Sequence, residues 1–407
     1  MKILFIVNNY PSTNEVGGLV FHQQAQELKK RGFEIKVICL TPWVPFPIKY
    51  FKKRWKKYSD IPKKTNWEGI EVFYPRYIQI PKELDFMSFY FAFLGERIYK
   101  RIKNLIRELY RDFKFDVIHA HHAFLPGYAG MKIAQEYKKP LVVTIHGGDF
   151  YETIFRNEKL KNHIEKVLNF STKIIVVSNK LKEIGERKLK ISPDKFVMIS
   201  NGINQEEVFK GKTNLLRKYK DKKIILSVSF LIKRKAIDFN LRAIAKLKEK
   251  YPDLLYLIIG DGAERKKLEK LAKKLKIDNY VKFLGQLPNN KVKEYMSICN
   301  IFCLPSYNEA FGMVYAEAMA SGKPVIGCWG EGCEDFVKNR ETGILVKPQN
   351  VNSLVEAIDL LLSNPRRAEE IGERAKRLIL ENCTYDKVIK KLIGVYNQII
   401  TMNSEKC

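Results

Sequence analysis

At 407 residues the chain is longer than one hydrophobic core ordinarily organises, so two domains of similar size are expected. Apolar residues make up 45% and charged residues 29%, which is ordinary, but 73 basic against 45 acidic side chains leave a formal net charge of +28. That excess predicts an anionic partner (nucleic acid, an anionic membrane surface or a phosphorylated substrate), or else only a lysine-rich solvated surface, and composition does not separate these.

The chain opens with KILFIV, a strand pattern whose apolar run ends after Val7. That run is too short for a signal peptide, and no later run reaches the length needed to span a bilayer, so a cytoplasmic protein is expected. Short β-branched runs then alternate with amphipathic helical stretches. EIKVICL, IEVFY, DVIHA, LVVTIH, KIIVVS and KFVMIS follow in the first half; KIILSVS, LYLIIG, VKFLG, IFCLPS, PVIGC and GILV make up the second. This is the pattern of parallel sheets wrapped by helices, hence an α/β protein of two doubly wound, Rossmann-like domains. The seam is expected just after Asn201-Gly202-Ile203, a turn signal followed by a polar stretch. Residues 1–205 and 206–384 are then the domains, and 385–407 a C-terminal helix able to pack on either. Seven cysteines, Cys39, Cys299, Cys303, Cys328, Cys333, Cys383 and Cys407, include no C-x-x-C pair suited to zinc or redox work and read as scattered reduced thiols.

Two segments break the alternation by mixing aromatics with clustered Lys and Arg: Trp43 to Asp60, and Leu84 to Arg111. Such a mixture suits a surface lying on anionic lipid. For the first segment, contact with membrane or an anionic acceptor is expected; for the second, a core helix whose basic residues face water.

The most informative stretch is PSYNEAFGMVYAEAMASGKPVIG, Pro305 to Gly327. A strand-to-helix turn there puts the amides of Phe311, Gly312 and Met313 at a helix N-terminus, where unpaired donors and the helix dipole stabilise an anion such as a diphosphate. Glu309 before the helix and Glu317 inside it flank that position, and carboxylates accept hydrogen bonds from vicinal diols. Gly312 lets the backbone approach closely. In the first half, TIHGGD ends a strand with His146, two glycines and Asp149, at the sheet edge where ligands bind. The HAHH run, His119 to His122, lacks a carboxylate cluster for a metal and reads as structural or acceptor-side. Gly260-Asp261-Gly262 and Gly285-Gln286 are either walls for a nucleotide base or simple tight turns.

The paired glutamates, with Ala318, Met319, Ala320, Gly322, Pro324 and Val325 in the spacing A-M-A-x-G-x-P-V, resemble glycosyltransferase family four over nearly the whole chain. Gly17-Gly18 resembles the family's glycine loop, and Glu334 to Val346 its later signature. The resemblance implies a GT-B fold, two Rossmann-like domains facing across a cleft, and retaining transfer of a sugar from a UDP- or GDP-linked donor to a glycan, glycolipid or lipid-linked acceptor. It implies His146 near the reacting centre, Glu309 on the sugar, Glu317 on the ribose, and Gly17, Gly18, Lys235 and the Phe311–Met313 amides as further donor contacts. One departure stands out: where the family has G-R-L-x-x-x-K-G, this chain has Ser229 to Ala236, so Lys235 fits but Phe230 replaces the arginine. No D-x-D pair occurs, so no metal and no cofactor is expected, with Lys235 and the helix N-terminus carrying the diphosphate charge. A non-catalytic relative acting as a membrane-docked scaffold and a sugar-nucleotide epimerase or phosphorylase are the alternatives; no nucleic-acid module is recognisable.

Overall fold

The computed structural model describes residues 1–12, 17–43, 58, 60–78, 88–208 and 213–404. They divide into two compact units, Met1–Gly202 together with Val388–Cys407, and Ile203–Lys387.

The first unit is built on β1 (Lys2–Val7), β2 (Glu34–Cys39), β3 (Thr41–Trp43), β4 (Lys64–Trp67), β5 (Ile70–Phe73), β6 (Arg76–Ile78), β7 (Val117–His121), β8 (Leu141–Ile145), β9 (Lys173–Val176) and β10 (Phe196–Met198). Its main sheet runs β10-β9-β8-β7-β1-β2-β5-β4. All neighbours are parallel except β4 and β5. Covered on both faces, the central strands are continuous apolar runs: every residue of β7 and β8 is buried. The hairpin between β4 and β5 turns on Glu68 and Gly69, both at positive φ, the primed-turn geometry that matches strand twist. β3 and β6 pair as a separate parallel ribbon beyond the ends of β2 and β5. These three- and four-residue strands were not foreseen, because β4 is a half-exposed edge with little apolar signal and the other two are too short to show a period.

Helices α1 (Leu19–Lys30), α2 (Ser88–Asp112), α3 (Tyr128–Tyr137), α4 (Glu158–Phe170) and α5 (Asn179–Lys188) wrap this sheet. Along α2, Leu94, Ile98, Ile102, Ile106 and Leu109 are buried at near-fourfold spacing. Arg97, Lys100, Arg101, Arg107 and Arg111 are exposed, the arrangement expected for a core helix with a basic solvent side. The Trp43–Asp60 segment, by contrast, lies outside the described residues apart from Trp43, Tyr58 and Asp60.

The second unit has a six-stranded, all-parallel sheet, β13-β12-β11-β14-β15-β16. Its strands are β11 (Lys223–Val228), β12 (Leu254–Ile259), β13 (Val281–Gly285), β14 (Ile301–Cys303), β15 (Val325–Cys328) and β16 (Ile344–Val346), with α6 (Ile237–Leu247), α7 (Arg265–Lys274), α8 (Asn289–Ile298), α9 (Met313–Ala320), α10 (Val351–Ser363) and α11 (Pro365–Asn382) around them. A buried polar network pins β11, β12, β14 and α6 together: the Asn240 amide donates to Tyr256 Oη at 2.8 Å, Ser227 Oγ at 3.1 Å and the Cys303 carbonyl at 3.2 Å. The last helix, α12 (Tyr385–Ser404), joins the first unit from Val388 onward, where Val388, Ile389, Leu392, Tyr396 and Ile399 are buried.

Six cysteines, all but Cys407, are buried and lie outside any disulfide. Burial pushes the Cys299 and Cys328 thiols up to about 12. Among the described residues no helix is long and apolar enough to cross a membrane.

In both sheets the first strand sits in the middle, and the order in which strands are added reverses beside it, between β1 and β7 and between β11 and β14. The carboxyl ends of strands at such a reversal are where ligands bind in sheets of this kind.

Candidate functional site

In the second unit the loops at this reversal are Ser229–Ala236 after β11 and Leu304–Gly312 after β14, and they hold each other. Tyr307 N–H donates to the Arg234 carbonyl at 2.9 Å, and Arg234 Nη1 returns a bond to the Asn308 carbonyl at 3.3 Å. Across this junction Lys235 Nζ donates to Glu309 Oε2 in an ion pair whose residues are only 9% and 8% exposed. Ser306 Oγ donates to the same carboxylate oxygen at 3.1 Å and bonds Tyr315 Oη at 3.1 Å, while Tyr315 Oη donates to the Leu304 carbonyl. Two residues 74 apart in sequence thus form one charged centre.

A third acidic residue, Glu331, completes the frame. Its Oε2 accepts the Glu309 N–H at 2.8 Å, and Gly332 N–H donates back to the Glu309 carbonyl at 2.9 Å. Sequence reasoning missed Glu331; its only signal was the turn WGEG directly after the strand PVIGC. Gly312 caps α9 at φ +86°, a conformation costly for any residue with a Cβ, and a Cβ there would press on the Tyr315 ring. The Gly312 carbonyl accepts the first helical bonds, from Tyr315 at 3.0 Å and Ala316 at 3.5 Å. The amides of Phe311, Gly312 and Met313 therefore precede the helix ladder, where α9 carries its positive dipole end. Glu317 is half-buried within α9.

Phe230 projects from the β11 loop 69% exposed, and Ser229 Oγ is buried without a hydrogen-bond partner among the described residues. Beside them Gly260, at φ +128°, lies so close to the Ser229 carbonyl oxygen that a Cβ would overlap it. Gly260 is thus a close turn that only glycine fits, and Gly285, at φ +71°, is a left-handed turn position, whatever else the two border. Ala236, where the resembling family has glycine, caps α6 at φ +53°. Ala236→Gly removes that left-handed strain and is expected to stabilise the protein by about 1 kcal/mol, read as a higher melting temperature. An unchanged or lower value would show that the alanine conformation is not strained.

In the first unit, Gly18 starts α1 at φ +75°, with no room for a Cβ against the Asn9 carbonyl, and Gly17 packs equally closely on the Asn9 side chain. His146, at the end of β8, is half-buried and bonded through Nε2 to His121 Nδ1 at 3.1 Å. Burial, with the neighbouring histidines, holds both imidazoles well below the usual range, so both are neutral. Phe21 packs on His121 and His146, with ring centroids 4.6 and 5.0 Å apart. The HAHH run resolves into separate roles. His119 is structural, bonded to Tyr396 Oη at 2.6 Å and Thr144 Oγ1 at 2.7 Å. His122 stands at φ +80°, an uncommon conformation for a non-glycine residue, and is 3.2 Å from Asp149 Oδ2. Asp149 does not sit at the ligand edge as expected: it is buried and accepts the Ala123 and Phe124 N–H groups, each at 3.1 Å. Among the described residues no three His, Cys, Asp or Glu side chains gather as a metal-holding group.

Burial depresses the His119 imidazole to about 3 and that of His163, stacked on Tyr128, to about 4. Such groups gain protons on unfolding, so stability is full above the unfolded value of about 6.5 and declines as pH drops below it. For His119 the slope approaches about 1.4 kcal/mol per pH unit. Melting temperature should fall between about pH 7 and pH 5 and fall less steeply in His119→Gln; parallel curves would refute the burial argument.

Comparison with known proteins identifies the family and the fold. Residues 17–207 match the sequence model of Glycosyltransferase Family 4, and residues 212–378 that of Glycosyl transferases group 1. The chain is 30% identical over 364 residues to TuaC of Bacillus subtilis, named as a teichuronic acid biosynthesis glycosyltransferase, covering 88% of each chain. Its fold matches sucrose-phosphate synthase from Thermosynechococcus elongatus with a TM-score of 0.80 at 22% identity, covering 99% of this chain and 100% of that one. It also matches Anabaena HepE, solved in complex with UDP and glucose, with a TM-score of 0.74 at 18% identity, covering 98% and 100%. The chain belongs to the group 1 glycosyl transferases of glycosyltransferase family 4: it is a glycosyltransferase of GT-B fold, built from two Rossmann-like units.

Proposed function

We propose that the second unit binds a nucleoside-diphosphate sugar, UDP- or GDP-linked, and that the enzyme transfers the sugar with retention to a hydroxyl of a glycan, glycolipid or lipid-linked acceptor, without a metal. The observation that carries this reading is the Lys235–Glu309 pair at the sheet's reversal point, adjoining the start of α9. A diphosphate leaving group needs positive charge as its bond to the anomeric carbon breaks. Lys235 and the Phe311–Met313 amides supply it from fixed positions, which costs no reorganisation during reaction. Glu309 is held by Ser306 and Glu331 where a sugar diol donates to it, and Glu317 is assigned the ribose. The unpartnered Ser229 hydroxyl supports a ligand at the β11 loop. Gly17 and Gly18 are assigned to the donor phosphates, and His146, neutral and oriented by His121, to the transferred sugar. HepE, of the same fold, was solved with UDP and glucose. Contact with an anionic membrane surface is assigned to the Trp43–Asp60 segment, which mixes aromatics with clustered Lys and Arg.

A thermal-shift screen of nucleotide sugars in EDTA tests the reading. One donor is expected to raise the melting temperature by several degrees, because a ligand bound only by the folded state stabilises it by mass action. No shift with any donor counts against the site, and a shift seen only after adding a divalent cation counts against metal independence.

A further inference from the structure

Helix α1 of the first unit is clamped along one side. His22, Gln26 and Lys29 follow one another at helical spacing on that side, and all three meet the β4–β5 hairpin. His22 Nε2 is 2.8 Å from Glu68 Oε2, Gln26 Nε2 donates to the Glu68 carbonyl at 2.7 Å, and Lys29 Nζ donates to the Gly69 carbonyl at 2.8 Å. On the other side of the imidazole, His22 Nδ1 is 3.0 Å from Tyr10 Oη. Tyr10 and His22 are only 2% and 4% exposed, whereas the Glu68 side chain is 68% exposed.

Chemistry gives these three side chains a direction. A carboxylate only accepts, so in the neutral imidazole Nε2 carries the proton and donates to Glu68, Nδ1 keeps its lone pair, and the Tyr10 hydroxyl donates to it. Burial pushes the Tyr10 phenol up, so it keeps the proton that it donates. Buried polar side chains are costly unless every one is satisfied, and a satisfied set fixes one arrangement where an apolar cluster would tolerate several.

Tyr10 also supports the two glycines that open α1. A Cβ at Gly18 would lie 2.4 Å from the Asn9 carbonyl oxygen and 2.9 Å from Tyr10 Cα, and one at Gly17 would lie 2.3 Å from Asn9 Nδ2. Asn9, Tyr10 and the start of α1 thus pack with no space between them, and the position of one sets that of the others. We propose that His22 is a positioning residue for sugar transfer: held by Glu68, it anchors Tyr10 and with it the backbone on which Gly17 and Gly18 rest, so that these glycines meet the donor phosphates in one geometry. The inference rests on the assignment of those glycines to the donor.

Three substitutions in the full chain test it. Tyr10→Phe removes one hydroxyl, Glu68→Ala removes the outer acceptor, and Glu68→Gln keeps an amide oxygen that still accepts from Nε2. Hydrogen exchange needs no donor and reads the geometry: the Phe21 and His22 amides, which donate to the Gly18 carbonyl at 3.0 and 3.2 Å, are expected to exchange at least about tenfold faster in Tyr10→Phe and Glu68→Ala but not in Glu68→Gln. Turnover with the donor that stabilises the parent chain reads the consequence. There kcat is expected to fall at least about tenfold in the first two variants and to stay within about twofold in Glu68→Gln, with the donor-induced rise in melting temperature kept in all three. A merely structural role would lower the melting temperature and leave kcat per folded molecule unchanged. Parent-like exchange, parent-like kcat, or equal losses in Glu68→Gln and Glu68→Ala each overturns the proposal, and the Glu68 pair decides even if Tyr10→Phe folds poorly. Exchange that responds as expected in a chain stabilised by no nucleotide sugar upholds the Tyr10–His22–Glu68 anchor and counts against the donor reading.

Discussion

Replacing Glu309 with glutamine should lower the rate of sugar transfer by about two orders of magnitude while leaving the protein folded. The amide keeps the volume and an oxygen for Ser306, so the loop stays in place, but the negative charge that opposes Lys235 and accepts sugar hydroxyls is gone. The more obvious Glu309→Ala change is a poorer probe. It leaves Lys235 partnerless in a site where both side chains are only 11% exposed, and breaking such a pair costs about 3–5 kcal/mol. Its activity loss would therefore mix chemistry with instability. Initial rates of nucleotide release in the presence of an acceptor extract, read beside melting curves, separate the two. Wild-type turnover in Glu309→Gln would remove the charged centre from the mechanism.

Gly260→Ala should be the most damaging single methyl group in the second unit. The new Cβ falls on the Ser229 carbonyl oxygen, a backbone atom tied through the Ser229 N–H to the Ile259 carbonyl at 3.0 Å, so neither side yields easily. A φ of +128° adds strain whatever space is made. Together these should destabilise by about 3–5 kcal/mol. The melting temperature should drop and the nucleotide-sugar shift should vanish with it. A variant that melts and binds like the parent would show that the β11 loop moves freely, contrary to its ties to Asn308 and Tyr307.

The sheets were readable from sequence because parallel strands covered on both faces must be apolar throughout; LVVTI and LLYLII announce themselves without any alternation. The strand order was not readable, and with it went the pairing that matters most. Lys235 and Glu309 were each singled out for a different part of a donor, but only the adjacency of β11 and β14 reveals that they are paired with one another. Glu331 escaped for the same reason, since a carboxylate that caps a backbone amide in another loop has no local signature. Asp149 illustrates the opposite error. Proximity in sequence to His146 suggested a shared role, whereas the turn after β8 rotates its carboxylate inward to accept two backbone amides, those of Ala123 and Phe124.

The sequestered sulfur atoms have a practical consequence. A thiol reacts as its anion, and low-dielectric surroundings suppress that form at Cys299, Cys303, Cys328 and Cys333. With Cys407 replaced by serine, one cysteine introduced at the outward-facing position 230 offers maleimide dyes a selective handle on the β11 loop. A fluorophore there would report the arrival of a donor in real time, without a coupled assay and before any acceptor is known.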